Sequence, residues 1–154
     1  MRKILFRGKP KHSEEYYFFS QNWKAFCKNG FVFGSLIVKA GKYYICVSAM
    51  RNMTTCINNG MTSMIEVIPE TVGQYINLDD EDNKEIFEGD ILKNIWTGDI
   101  HTVNWCVDCA VWVLPCVTDE RRETTFNSYS SNEYVIIGNV FDNPELLKGG
   151  EPNA

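Results

Sequence analysis

The second half of the chain is cut into short extended runs at near-regular intervals, and this spacing constrains the fold more than any other feature. Strand-like runs occupy residues 90–96, 100–105, 110–114, 123–126 and 134–141. Between them lie turn signals: Thr97-Gly98-Asp99, Val107-Asp108, and the stretches 115–122 and 127–132. Five short strands so spaced suggest a small closed barrel rather than an open sheet, because closure removes exposed edges. Gly89-Asp90 sits where a turn feeds the first of these strands. Ile91 and Ile95 are expected to point inward, with some of Val103, Trp105, Val111, Val113, Val135 and Ile137.

The first half is also strand-rich but less regular. Residues 3–7 alternate, with Ile4 and Phe6 on one side. Residues 31–38 alternate again, Gly41-Lys42 reads as a hairpin turn, and 43–47 as the returning strand. Further extended pieces are 64–68, closed by Pro69, and 72–78. Residues 13–27 differ. Tyr16, Phe19, Trp23, Phe26 and Cys27 recur at helical spacing, and Asn29-Gly30 reads as a C-terminal stop, which predicts an inserted helix within about 12–28. Tyr17 and Phe18 fall off that stripe, so an extended aromatic segment competes with the helix. Residues 50–63 are polar and Met-rich and read as a loop. Asn143 and Pro144 suit the start of a closing helical turn. The expected organisation is an N-terminal β-rich segment over 1–78, a barrel domain over 79–148 and a tail over 149–154. The fold class is mainly β with minor α.

Composition bounds the class. Hydrophobic residues make up 44% and charged residues 23% of 154, an ordinary globular balance that needs neither metal nor disulfide to fold. No run approaches the roughly 20 apolar residues of a membrane span, and the opening Ile4-Leu5-Phe6 is too short for a signal-peptide core. The expectation is a cytoplasmic protein with six reduced cysteines. A net charge of −5 disfavours simple polyanion binding. The charge is uneven, however. Arg2, Lys3, Arg7, Lys9 and Lys11 precede the first acid, whereas Asp79, Asp80, Glu81, Asp82, Glu85, Glu88 and Asp90 crowd one stretch.

Five phrases in order then resemble one family. They are Met1-Arg2-Lys3-Ile4-Leu5-Phe6-Arg7-Gly8, Phe33-Gly34-Ser35-Leu36-Ile37, Val67-Ile68-Pro69-Glu70-Thr71-Val72-Gly73-Gln74-Tyr75, Lys84-Glu85-Ile86-Phe87-Glu88-Gly89-Asp90-Ile91, and the run from Val135-Ile136-Ile137-Gly138-Asn139 to Val140-Phe141-Asp142-Asn143-Pro144-Glu145-Leu146-Leu147. Together they resemble the YopX-like family of bacteriophage and prophage proteins. The resemblance implies an SH3-type small β-barrel in the C-terminal half, a phage or prophage origin and a bacterial-cytoplasmic setting. It implies no activity and carries over no catalytic residue. Residues 10–28 look like an insertion relative to the family, so the helix gains no support from it. Where the family commonly has Asn-Gly, this chain has Asp82-Asn83, and Asn83 is expected to take the left-handed position. Gly73, Gly89 and Gly138 are expected at bends or close backbone approaches.

Chemistry-bearing patterns are few. Cys106-x-x-Cys109, with His101 before and Cys116 after, supports three readings: a zinc knuckle, a redox dithiol, or thiols flanking a Val107-Asp108 turn. Met50, Met53, Cys56, Met61 and Met64 could face a barrel, contact a partner or hold Cu(I). Residues 79–90 mimic a calcium loop, but Lys84 stands where glycine is wanted and Asp90 where a bidentate Glu is wanted. His12 and His101 lie in no hydrolase motif, and the Glu66/Glu70 pair needs a cleft to act together. No catalytic, cofactor-binding or metal residues are assigned.

Binding is therefore the expected mode of action, to another protein or to a second copy. The candidate protein-contact residues are Tyr16, Phe19, Trp23, Phe26, Met50, Met53 and Met61, because aromatics and Met concentrate at interface cores. The alternative partner is nucleic acid, contacted by Arg2, Lys3, Arg7, Lys9, Lys11, Arg121 and Arg122, with Tyr16, Tyr17, Trp23 and Trp96 available to stack on bases. Neither a membrane nor a small-molecule substrate is implied.

Overall fold

A computed structural model describes residues 2–12, 27–47, 63–119, 121–128 and 130–148. These residues form thirteen β-strands and three short 3-10 turns, with no α-helix among them. All strand pairs are antiparallel. The chain divides into two units, with the boundary between Gln74 and Tyr75.

The first unit is built from β1 (Phe6–Gly8), β2 (Cys27–Lys28), β3 (Phe31–Lys39), β4 (Lys42–Val47), β5 (Ser63–Val67) and the first residues of β6 (Gly73–Asp79). Its strand order is β5-β4-β3-β1-β6, and β2 adds to β3. The sheet curls back on itself. Beyond β1, Pro10 bridges Val67 at the end of β5, Lys11 N–H donates to the Glu66 carbonyl, and Ile68 N–H donates to that of Lys9. Val32, Ile45, Val47, Ile65 and Val67 fill the concave side.

Two hairpins of this unit are two-residue turns with both central residues at positive φ. One is Ala40–Gly41 (φ 50° and 74°), between the Lys39–Lys42 pair. The other is Asn29–Gly30 (φ 53° and 76°), between Lys28 and Phe31. The second corrects an expectation. Asn29-Gly30 does not stop a helix; it reverses a β-hairpin, the geometry for which Asn-Gly is the strongest short signal because both residues tolerate left-handed φ. Cys27, expected to end the helix, lies in β2. The remainder of the expected helix, 13–26, and most of the expected Met-rich loop lie outside the described residues; Ser63 and Met64 belong to β5.

The second unit continues β6 and adds β7 (Glu85–Phe87), β8 (Asp90–Asn94), β9 (Ile100–Thr102), β10 (Asn104–Cys106), β11 (Val111–Pro115), β12 (Glu123–Thr125) and β13 (Tyr134–Asn139). β13-β8-β9 and β10-β11-β12 are each three-stranded, and β6 pairs with β7. Single contacts join these groups. His101 bridges Cys116, Val117 N–H donates to the Ile100 carbonyl, and Glu81 N–H to that of Tyr134. One core serves every group: Ile76, Ile86, Leu92, Val103, Leu114, Phe126 and Tyr134.

Inward pointing departs from simple alternation here. Ile91 and Leu92 are both fully buried, because β8 is covered on both faces, whereas Ile95 lies past the end of β8 and is 42% exposed. Val103 and Val113 are buried as expected, but Trp105 is 40% exposed on β10. The expected single strand over 100–105 is two strands that part at Val103, whose N–H and carbonyl turn to Asp90 and Gly89 instead.

Candidate functional site

The seven candidate nucleic-acid contacts are largely spent on the fold. Arg2 and Lys3 are exposed. Arg7 is buried on β1, with its guanidinium 4.6 Å from the centroid of the Phe31 ring, and the Lys9 ammonium lies 5.3 Å from the same ring. Lys11 Nζ donates to Glu66 Oε1 at 2.9 Å, while Lys42 Nζ lies 3.5 Å and His12 Nε2 3.7 Å from Glu66 Oε2. The hydrogen bond from Lys11 pulls the Glu66 carboxyl below its ordinary value, and Lys11 rises in return. Arg121 and Arg122 belong to the second unit. Arg122 is paired to Asp99 at 3.0 Å; the Thr97 hydroxyl first, then Arg122, holds that carboxyl low. The charge imbalance nevertheless follows the unit boundary. Residues 1–74 carry ten basic and four acidic side chains, net +6, and residues 75–154 carry five basic and sixteen acidic, net −11.

Several of those acids are internal fittings. Asp80, 2% exposed, accepts three backbone N–H groups: Asp82 and Lys84 on Oδ1, and Ile136 of β13 on Oδ2, each at 2.9 Å. Asp90, equally buried, accepts Phe87 N–H at 2.8 Å. Asn83 adopts φ 58°, the left-handed position expected of it. Within the calcium-like stretch, the Asp80 and Asp90 carboxylates thus accept from the protein's own backbone. The Asp80-x-Asp82-Asn83 spacing suits side chains that bond nearby backbone.

All seven candidate protein-contact residues (Tyr16, Phe19, Trp23, Phe26, Met50, Met53 and Met61) lie outside the described residues. The second unit also exposes apolar side chains in two of its turns. Trp96 is 78% and Val107 80% exposed, in the β8–β9 and β10–β11 turns, beside the half-exposed Ile95 and Trp105. Asn94 explains the first: its Oδ1 accepts the N–H groups of Trp96 and Thr97, closing the turn and leaving the indole in solvent. Trp105 packs edge-on against Trp112 across the hairpin, with centroids 4.9 Å apart.

The Cys/His pattern separates into two places. His101 is buried, with Nδ1 3.2 Å from the Leu114 carbonyl and its ring edge-on to Tyr134. Cys116, also buried, lies 3.3 Å from the Thr118 hydroxyl. Cys106 ends β10 and Cys109 lies in the turn at the tip of the β10–β11 hairpin. Its turn spans 107–110, longer than the expected Val107-Asp108, with Ala110 at φ 52°. Among the described residues, no group of three or more His, Cys, Asp or Glu is placed to hold a metal.

A family model described as YopX protein matches residues 6–148. The chain belongs to the YopX family. The match spans both units, and the phrases that resembled the YopX family fall at structural necessities. A Cβ on Gly34 would collide with the Cys46 carbonyl, and one on Gly138 with the Asn143 side chain; Gly89 has φ 80°. No curated protein matches the chain.

Proposed function

We propose that this YopX-family protein is a non-enzymatic accessory protein of a phage or prophage, acting in the bacterial cytoplasm by binding another protein or a second copy of itself. The observation that carries the reading is the solvent-held Trp96, with Ile95, Trp105 and Val107, on a unit of net charge −11. The Asn94 side chain already closes the Trp96 turn, so the indole adds no packing to it. Exposed indoles are favoured anchors of protein interfaces. An acidic surround selects a partner with a basic rim, a description that residues 1–74 of a second copy also meet. We infer further that 79–148 closes as an SH3-type barrel. Its support is the single core shared by all strand groups and the bridge from β9 to the end of β11.

The test is capture from host cells during infection or prophage induction, using the tagged full chain with and without nuclease. Protein partners retained after nuclease and lost in a W96A/W105A double variant support the proposal. Loss of every partner on nuclease treatment overturns it in favour of nucleic-acid binding, the reading favoured by the +6 of residues 1–74. That alternative predicts affinity falling steeply with added salt.

A further inference from the structure

Cys106 closes β10 opposite Val111, and residues 107–110 reverse the chain. A chain that reverses within four residues can bring Cα atoms three positions apart into the window of about 4.4–6.8 Å spanned by disulfides. Cys109 is exposed and Cys106 half-buried, so Cys109 is the more open of the two to a reagent. Cys116, the remaining cysteine of the sequence pattern, is buried against Thr118.

We propose that Cys106 and Cys109 form a reversible intrachain disulfide, made by exchange with a low-molecular-weight disulfide, that staples the β10–β11 hairpin. The Cys109 thiolate attacks one sulfur of the small disulfide and expels the other as a thiolate. The Cys106 thiolate then attacks the Cys109 sulfur, forms the S–S bond and expels the second small thiolate. The two protons leaving the protein thiols end on the two small thiols. The protein loses two electrons and the small disulfide gains them. The Cys106 side chain, with smaller contributions from burial and Glu123, raises the Cys109 thiol above its ordinary value. Only the thiolate attacks, so exchange runs faster as pH rises towards that value. The staple would fix the hairpin that carries the Trp105–Trp112 pair and the exposed Val107.

The reduced full chain, incubated with oxidised glutathione, should lose two titratable thiols and lighten by two hydrogens. Peptide mapping should place the bond between Cys106 and Cys109, and dithiothreitol should restore both thiols. Cys109→Ser, at an exposed position, should keep the fold by near-UV circular dichroism and show no internal disulfide. Three results would overturn the proposal: a stable glutathione adduct on Cys109 with Cys106 still free, a disulfide mapped to Cys27, Cys46, Cys56 or Cys116, or all thiols remaining titratable.

Discussion

The two units solve the same problem, satisfying β backbone in a small volume, by different means. In the first, strands reach nine residues, and two of the hairpins are two-residue turns closed by ladder pairs. In the second, most strands are three to five residues, and side chains complete what the ladders leave open. Asp80, Asp90, Asn94 and Asn139 together accept backbone N–H groups in four separate turns. Short strands end often, and each end frees donors that must be met when buried. The acidity of the second unit is thus partly a requirement of its architecture, whereas in the first unit Arg7 and Lys9 pack on a ring and Lys11 and Lys42 pair with Glu66.

The largest effect expected from breaking that contrast is at Asp80. Asp80→Ala leaves three N–H groups without their acceptor and should cost about 3–5 kcal/mol, read as a lowered urea midpoint. Asp80→Asn keeps the shape and should lose less. If both variants match the parent, side-chain acceptors are not what holds the second unit.

The corresponding break in the first unit is steric. Gly34→Ala places a methyl on the Cys46 carbonyl, which belongs to backbone and cannot rotate away. The expected cost is roughly 1–3 kcal/mol, the usual range for overpacking. Near-UV circular dichroism and the denaturation midpoint report it, and an unchanged midpoint would mean that β3 and β4 separate freely.

How much of this was legible in the sequence depended on whether the signal was local. Strands β3, β4, β8, β11 and β13 were placed nearly as found, because alternation and Gly or Asn turns are local properties. Asn83 at positive φ followed from its place in the family's turn and its tolerance of that region. The Asn29-Gly30 turn was misassigned because the aromatic spacing before it matched a helical period, and period outweighed turn chemistry. Burial of Arg7 and Asp80 was not legible, since each depends on a partner distant in sequence: Phe31 for one, Ile136 for the other. Trp96 was noted as an available aromatic, but its exposure follows from the Asn94 side chain, which no hydrophobicity pattern reveals.

A gain is expected where the first unit carries strain. Ala40 holds φ 50°, a conformation that costs an alanine roughly 1 kcal/mol. Ala40→Asn creates the Asn-Gly pair that this turn prefers and should stabilise by about 0.5–1 kcal/mol in urea unfolding. A loss instead would show that the Ala40 methyl makes a contact worth more than the strain.

The smallest effect concerns Glu66, where the first unit most resembles the second in using a carboxylate. Here the lysine partners, Lys11 and Lys42, are about half exposed, and pairs with solvated ammonium groups contribute little. Glu66→Gln should therefore lower the midpoint less than Asp80→Asn. Its sign with pH is fixed by the direction of the shift. The carboxyl lies below its ordinary value of 4.5 in the folded chain. Its contribution is thus present above 4.5 and is lost as pH falls through the lower folded value. Parent and variant should differ at neutral pH, converge in acid, and differ less in high salt, because exposed ammonium groups are screened. A difference that persists unchanged below that window would assign the effect to packing of the side chain rather than to its charge.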